Sequence, residues 1–257
     1  MMPRRHSAIL KLLEGRGALS ITALAEALDV SGETMRRDVR ALVESGAVVR
    51  GHGAVGLTGQ IGEAPFLRRM RENAGAKQAI ARAMAAQIAD GESLMLDTGT
   101  TTSFLARELL GHRRLTVVTN SSDIARTLAT VNGNRVFMAG GELRGDSGAA
   151  LGASALDFIR PFAVQHAIIS VGAVDAGGVM DFDLQEAEFA RAVLACGERR
   201  LVVTDASKFG RRGFIRVAGL DGIDAVVTDR APPEAVAAAL AAANVTVSLA
   251  APAGEAA

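Results

Sequence analysis

The sequence predicts an α/β chain in two parts. A small helical head with a two-stranded wing is followed by a larger body built on a parallel sheet. Three observations carry this. The first 57 residues hold three short amphipathic helices separated by Gly and Ser punctuation, then a β-branched run, a Gly-His-Gly turn and a second short strand. From residue 76 onwards, continuous apolar runs alternate with helical patterns, as in sheets covered on both faces. Between them, 58–75 has the composition of a linker, with Gly59, Gly62 and Pro65 followed by the charged run Arg68-Arg69-Met70-Arg71-Glu72.

In the head, residues 4–14 form a first helix with Ile9, Leu12 and Leu13 inward, stopped by Gly15 and Gly17. Ser20 caps a second helix, 21–28. After the turn at Asp29-Val30, Ser31 caps a third that runs to about Glu44 and ends at Ser45-Gly46. In this third helix Met35, Val39 and Leu42 recur at i, i+4 and i+7 and make the buried face. Glu33, Arg37, Arg40 and Glu44 point the opposite way, with Arg36 on the flank. An Arg-Arg pair alone reads as a solvated basic face. Here it lies on the last helix of a helix-turn-helix, the element that enters a DNA major groove. The runs at 47–50 and 54–56 then read as a wing, with Arg50 and His52 near its tip, where a wing meets the sugar-phosphate backbone.

Charge narrows how such a head would bind. The whole chain has a formal net charge of +0, and eight Lys and Arg against six Asp and Glu leave the first 57 residues at +2. Affinity then depends on placed contacts and on binding as a homo-oligomer to paired half-sites, not on bulk charge.

In the body (76–250) the expected order is a helix at 77–89, a strand at 93–96, a helix at 102–110, a strand at 115–118, a helix at 122–129 and a strand at 135–138. A short helix at 153–159 and a strand at 167–171 follow, then a helix at 186–196 and strands at 201–203 and 225–227. A helix at 233–243 and a last strand at 245–247 complete it, and 251–257 is expected to fray. Ligands of open parallel sheets bind beyond the strands' carboxyl ends. Polar and glycine residues gather there: Asp97-Thr98-Gly99-Thr100-Thr101, Thr119-Asn120-Ser121-Ser122, Gly140-Gly141-Glu142-Leu143-Arg144, Gly172-Ala173-Val174-Asp175 with Asp181, Asp183 and Glu186 beyond, and Thr204-Asp205-Ala206-Ser207-Lys208. The Gly99-Thr100-Thr101 loop opens a helix, whose free amides and dipole suit a phosphate. Lys208 would add a cation, and Asp97 and Asn120 would hold hydroxyls.

Several classes are set aside. No G-x-G-x-x-G dinucleotide fingerprint lies in this loop and no G-x-x-x-x-G-K-[ST] loop is present, so neither NAD nor ATP is expected, and no cofactor is assigned. His6, His52, His112 and His166 lack metal-ligand spacing, and His166, opening an apolar strand, reads as structural. The one cysteine, Cys196, reads as a buried small hydrophobe and fits a reducing cytoplasm. No signal peptide is expected, because Arg4, Arg5 and Lys11 are not followed by a continuous apolar core. No run of about 20 apolar residues is present to span a membrane.

Together, Val30-Ser31-x-x-Thr34-x-Arg36-Arg37-Asp38, the Gly51-His52-Gly53 wing, Asp97-x-Gly99-Thr100-Thr101 and Ser207-Lys208-Phe209-Gly210 resemble the DeoR family of bacterial transcriptional repressors, over about residues 5–249. The wing departs from the family's His-Gly-Gly-Ala and reads His52-Gly53-Ala54-Val55. The resemblance implies a winged helix-turn-helix joined to a Rossmann-like sensor domain similar to ribose-5-phosphate isomerase. It implies operator DNA as one partner, read by Arg36, Arg37 and Arg40, with Ser31, Glu33, Thr34, Arg50 and His52 on the same interface. It further implies a phosphorylated sugar or polyol as effector, held by Gly99, Thr100 and Thr101 at the phosphate, by Asp97, Asn120, Gly140, Gly141 and Asp181 in the pocket and by Lys208 at the anion. The runs 140–144, 156–159 and 181–183 resemble the branch that governs glycerol 3-phosphate metabolism, which favours that compound. The alternative is an isomerase-like enzyme using Asp181, Asp183 and Glu186 as acid and base groups. Such an enzyme has no need of residues 1–57.

Overall fold

The computed structural model describes residues 4–16, 18–51, 54–57 and 62–251. The chain divides into two compact units, Met1–Arg68 and Arg69–Ala257.

The N-terminal unit contains α1 (Arg4–Arg16), β1 (Leu19–Ser20), α2 (Ile21–Ala27), α3 (Gly32–Glu44), β2 (Val48–Gly51) and β3 (Ala54–Leu57), and α4 (Phe66–Arg69) reaches across its boundary. Ile9, Leu13, Leu24, Met35, Val39, Leu42, Val48 and Val55 close one small core. Both expected caps form. Ser20 Oγ accepts from Ala23 N at 3.0 Å, and Ser31 Oγ from Thr34 N at 3.2 Å. Gly46, at φ +65°, ends α3. Gly46 N donates to Val43 O and Ala47 N to Leu42 O, the paired bonds of a Schellman motif. The wing gains a third strand that the sequence reading omitted, because β1 is only two residues long. It pairs antiparallel with β3, giving the order β1-β3-β2. His52 and Gly53 of the expected wing tip lie outside the described residues.

The C-terminal unit runs α5 (Ala74–Ala85), β4 (Ser93–Leu96), α6 (Thr100–Glu108), β5 (Thr116–Thr119), α7 (Ser122–Leu128), β6 (Arg135–Met138), α8 (Ala153–Ile159), β7 (Val164–Ile169), β8 (Ala173–Asp175), β9 (Gly178–Asp181), α9 (Leu184–Ala195), β10 (Gly197–Val203), β11 (Ile215–Ala218), β12 (Ala225–Thr228), α10 (Glu234–Ala242) and β13 (Thr246–Leu249). Seven strands form one parallel sheet in the order β13-β12-β10-β7-β4-β5-β6. Strand residues alternate between two cores. Met95, Val202 and Val226 face one side; Leu94, Leu96, Leu201, Val203 and Val227 face the other. The chain runs outward through β4, β5 and β6, then returns to lay β7 on the other side of β4. The gap beyond β4 and β7 is therefore the point where strand order reverses, the usual ligand crevice of such sheets.

In the C-terminal unit the structure corrects the sequence reading at the starts of two strands, at residues 172–175 and at Cys196. β7 and β10 begin at Val164 and Gly197, earlier than the apolar runs suggested, because polar residues of these strands are paired. Gln165 Oε1 accepts from Ser93 N at 2.9 Å, His166 Nε2 lies 2.9 Å from Glu92 Oε2, and Arg200 bonds Asp224. Residues 172–175, read as a strand-end loop, instead start a hairpin. β8, β9 and β11 form a separate antiparallel sheet of order β11-β9-β8. Gly178, at φ +141°, sits so close to Ala218 O that no Cβ fits there. Cys196 is half-buried, packed against the core with Sγ 3.6 Å from Ile159 O. Among the described residues no helix is long and apolar enough to cross a membrane, and no group of His, Cys, Asp and Glu is placed to hold a metal ion.

Candidate nucleic-acid interface and effector site

On α3 the apolar residues Met35, Val39 and Leu42 are buried, and so is Asp38. The remaining turns leave Ser31, Glu33, Arg36, Arg37 and Arg40 exposed and Thr34 half-buried, with Thr34 Oγ1 2.9 Å from Ser31 Oγ. Glu33 in the first turn complements the helix dipole. Arg50 is exposed on β2, and its Nη2 donates to Arg36 O at 3.4 Å, tying the wing to the arginine helix. One charged side chain of the run serves the fold. Asp38 points inward and accepts from Arg5 of α1 through both carboxylate oxygens, with His6 Nε2 3.6 Å away. An acid at the i+3 position from Met35, between two inward apolar residues, was the signal for this tether.

The bond from Arg5 holds the Asp38 carboxyl below the usual carboxylate range, helped against burial by the charge of Arg5. A depressed folded pKa gives stability that is present above the unfolded value of about 3.9 and lost as pH falls through the folded value. We therefore expect Asp38→Ala to speed hydrogen exchange of α3 amides at pH 7. In the native chain the same loosening should develop only on acidification below about pH 3.9. An acid response of Asp38→Ala as large as the native one would assign the loosening to other groups.

In the C-terminal unit the reversal point is lined by polar groups. Asp97 follows β4, is 6% exposed, and accepts from Ser170 N, which follows β7, at 3.1 Å and 3.0 Å through its two oxygens. Gly99 caps α6, and Thr100, Thr101, Thr102 and Ser103 of its first turn are all buried. Thr102 Oγ1 closes the turn on the carbonyls of Asp97 and Gly99, both at 3.0 Å. A side chain at Gly99 would overlap Ser170, so glycine keeps the two strand-end loops close together. Burial pushes the Asp97 carboxyl well up, and the charges of Asp181 and Glu186 add to it against the Ser170 amide. Asp181, buried at the end of β9, accepts from Phe182 N at 2.6 Å and Asp183 N at 3.3 Å.

Asn120 is engaged by the protein at both ends of its amide. Its Oδ1 accepts from Thr98 Oγ1 and its Nδ2 donates to Ala150 O, both at 2.9 Å, so it joins the β4 and β5 loops to the segment before α8. Gly140 and Gly141 are exposed, Gly141 at φ +138°, in the loop that carries Arg144. Arg144 Nη1 donates to Glu186 Oε1 at 2.8 Å; Nη2 donates to Gln185 Oε1 at 3.0 Å and Asp183 Oδ1 at 3.2 Å. Burial works against the charge on Asp183, but the bonds from Arg144 and the Glu186 amide outweigh it and lower its pKa. Lys208 is half-buried in the turn Ala206–Lys208 that follows β10, the strand beside β7. The sequence reading did not single out Ser170 or Arg144 for these contacts. Both act through groups distant in the chain, and although Arg144 stands in the run 140–144, nothing local marks its partners.

Two family models match this chain. The DeoR-like helix-turn-helix domain matches residues 5–60, and the DeoR C terminal sensor domain matches residues 72–230. The chain belongs to the DeoR family. This DeoR-family regulator is 36% identical over 234 residues to the glycerol-3-phosphate regulon repressor of Escherichia coli (strain K12), covering 91% of the chain and 93% of the relative. It is 35% identical to the HTH-type transcriptional repressor CsqR of the same organism, over 90% of the chain and 89% of the relative. It is 35% identical to the glycerol-3-phosphate regulon repressor of Haemophilus influenzae, over 89% of each. It is a regulator and not the isomerase-like enzyme of the alternative reading. Among solved structures, ribose 5 phosphate isomerase A from Neisseria gonorrhoeae aligns at a TM-score of 0.39 and 16% identity, over 53% of each chain.

Proposed function

We propose that this regulator represses a carbohydrate or polyol catabolic operon and leaves its operator when a phosphorylated sugar or polyol binds the C-terminal unit. Glycerol 3-phosphate is the first candidate. The observation that carries the reading is the polar cluster at the sheet's reversal point, in the unit matched by the DeoR sensor model. In this reading the effector phosphate meets the amides at the start of α6, at Gly99, Thr100 and Thr101, and the cation of Lys208. The buried carboxyls of Asp97 and Asp181 take hydroxyls. The Arg144 clamp holds the start of α9 in place, and Asn120 fixes the neighbouring loops. The relatives named for the glycerol-3-phosphate regulon support the choice of effector.

On the DNA side, Arg36, Arg37 and Arg40 read base edges and phosphates, Arg being suited to bidentate contact with guanine. Ser31, Thr34 and Arg50 lie along the backbone, with Glu33 among them. A homo-oligomer would place two α3 helices on paired half-sites. DNA and effector then lower each other's affinity by the same factor.

Thermal unfolding against glycerol 3-phosphate, ribose 5-phosphate, fructose 1-phosphate, fructose 6-phosphate and inorganic phosphate tests the effector class. A ligand at 100 times its Kd adds about 2.7 kcal/mol of stability. Glycerol 3-phosphate is expected to give the largest upward shift. A panel that leaves the transition unmoved would show that no such phosphate site is present.

A further inference from the structure

The covalent junction of the two units is anchored on both sides. On the C-terminal side Asn73 sits in the left-handed region, at φ +54°, just before α5. Its Nδ2 donates to Asp205 Oδ1 at 3.0 Å and lies 3.3 Å from Ser207 Oγ. These two acceptors belong to the turn that carries Lys208, and Asp205 Oδ1 also takes Ser207 N at 3.1 Å. One turn further along α5, Lys77 is 3% exposed. Its Nζ donates to Arg69 O at 2.5 Å and Glu72 O at 2.9 Å, binding the end of α4 and the turn after it to α5.

On the N-terminal side Arg68 donates through Nη1 to the carbonyl of Ser45, the residue that caps the C-terminus of α3. Its side chain lies against Gly46 so closely that a Cβ there would overlap the guanidinium. Arg68 and Arg69 are successive residues of α4. One short helix is therefore held at its end by Lys77 of α5, the helix that Asn73 opens on the Lys208 turn, and one residue earlier by the bond of Arg68 to the cap of the arginine helix.

We propose that α4 carries the signal of effector occupancy, with Asn73 and Arg68 as the positioning residues that couple the Lys208 turn to α3. The inference rests on the effector reading above. A phosphate that draws in Lys208 must shift or stiffen the turn 205–208. Two of the acceptors in that turn are the partners of Asn73, so the change reaches the segment 69–73. Lys77 makes that segment and α5 one unit, and Arg68 passes the change to the α3 cap. A chain of packed polar contacts of this kind is a physical route for coupling, which only a measured loss of coupling establishes.

Asn73→Gly is the test, because glycine accepts the left-handed backbone while removing the amide. The full chain is probed with glycerol 3-phosphate in two ways, by thermal stabilisation for binding and by hydrogen exchange at amides 66–69 and 45–47. In the native chain we expect stabilisation together with an exchange change of at least about fivefold at both segments, the lower end of common couplings. Asn73→Gly should keep the stabilisation and lose the exchange response at both. Arg68→Ala should keep the stabilisation and the response at 66–69, and lose it at 45–47. An undiminished response at 45–47 in a stabilised Asn73→Gly chain would overturn the relay alone. A native chain stabilised without any exchange response at 66–69 would do the same. If glycerol 3-phosphate leaves the native chain unstabilised, the effector reading fails and the relay fails with it.

Discussion

Replacing Arg37 and Arg40 together with alanine is expected to weaken operator binding by about 100-fold or more, since a bidentate Arg contact contributes about 1–3 kcal/mol. Both residues are exposed on the face of α3 opposite Met35, Val39 and Leu42, so the folded core does not depend on them. Surface changes of this kind alter stability by about 0.5 kcal/mol or less. Unfolding should therefore stay near the native temperature while binding collapses. The salt dependence supplies a second reading. An arginine that neutralises a phosphate contributes close to one unit to the slope of log affinity against log salt, so the double variant should show a shallower slope. Weak binding with an unchanged slope would assign these arginines to base edges instead. Native affinity in the double variant would move the DNA-reading face away from α3.

Lys208→Ala should produce the opposite regulatory defect, a protein that holds its operator in the presence of effector. A charge-assisted hydrogen bond to a phosphate contributes about 1.5–3 kcal/mol, so effector affinity should fall roughly 10- to 150-fold. The stabilisation by glycerol 3-phosphate at a fixed concentration should shrink accordingly, while operator affinity without effector stays native. Full stabilisation in Lys208→Ala would leave the phosphate to the α6 terminus alone. Loss of operator affinity without effector would give the lysine a role in the DNA-bound state.

What was legible in the sequence follows from where the physics is local. The caps at Ser20 and Ser31, the buried stripe of α3 and the apolar cores of β4, β5 and β12 are set by neighbours within a few residues, and each stands where the residues indicate. The strand-end loops were legible as a group, because a parallel sheet brings its carboxyl ends to one edge. The polar ends of β7 and β10 were not, since Gln165, His166 and Arg200 are satisfied by Ser93, Glu92 and Asp224 far along the chain. The antiparallel sheet of β8, β9 and β11 was missed for a similar reason. Its strands are three or four residues long, and β11 lies more than thirty residues beyond the hairpin it joins. The tether of Asp38 to Arg5 and the link of Asn73 to Asp205 are also long-range pairings. Apart from the inward register of Asp38 on α3, these polar residue types serve equally well at a surface and acquire their role only through the fold.

Control of DNA binding by the effector is measured most directly as the affinity of the full chain for a DNA duplex selected from a random pool, at fixed salt, with and without saturating glycerol 3-phosphate. The effector is expected to weaken binding by about 5- to 150-fold, the range of common allosteric couplings. The same DNA should then weaken effector binding by the same factor. Unchanged DNA affinity at a glycerol 3-phosphate concentration that stabilises the protein would contradict such control, because the ligand would then occupy the C-terminal unit without controlling the N-terminal one.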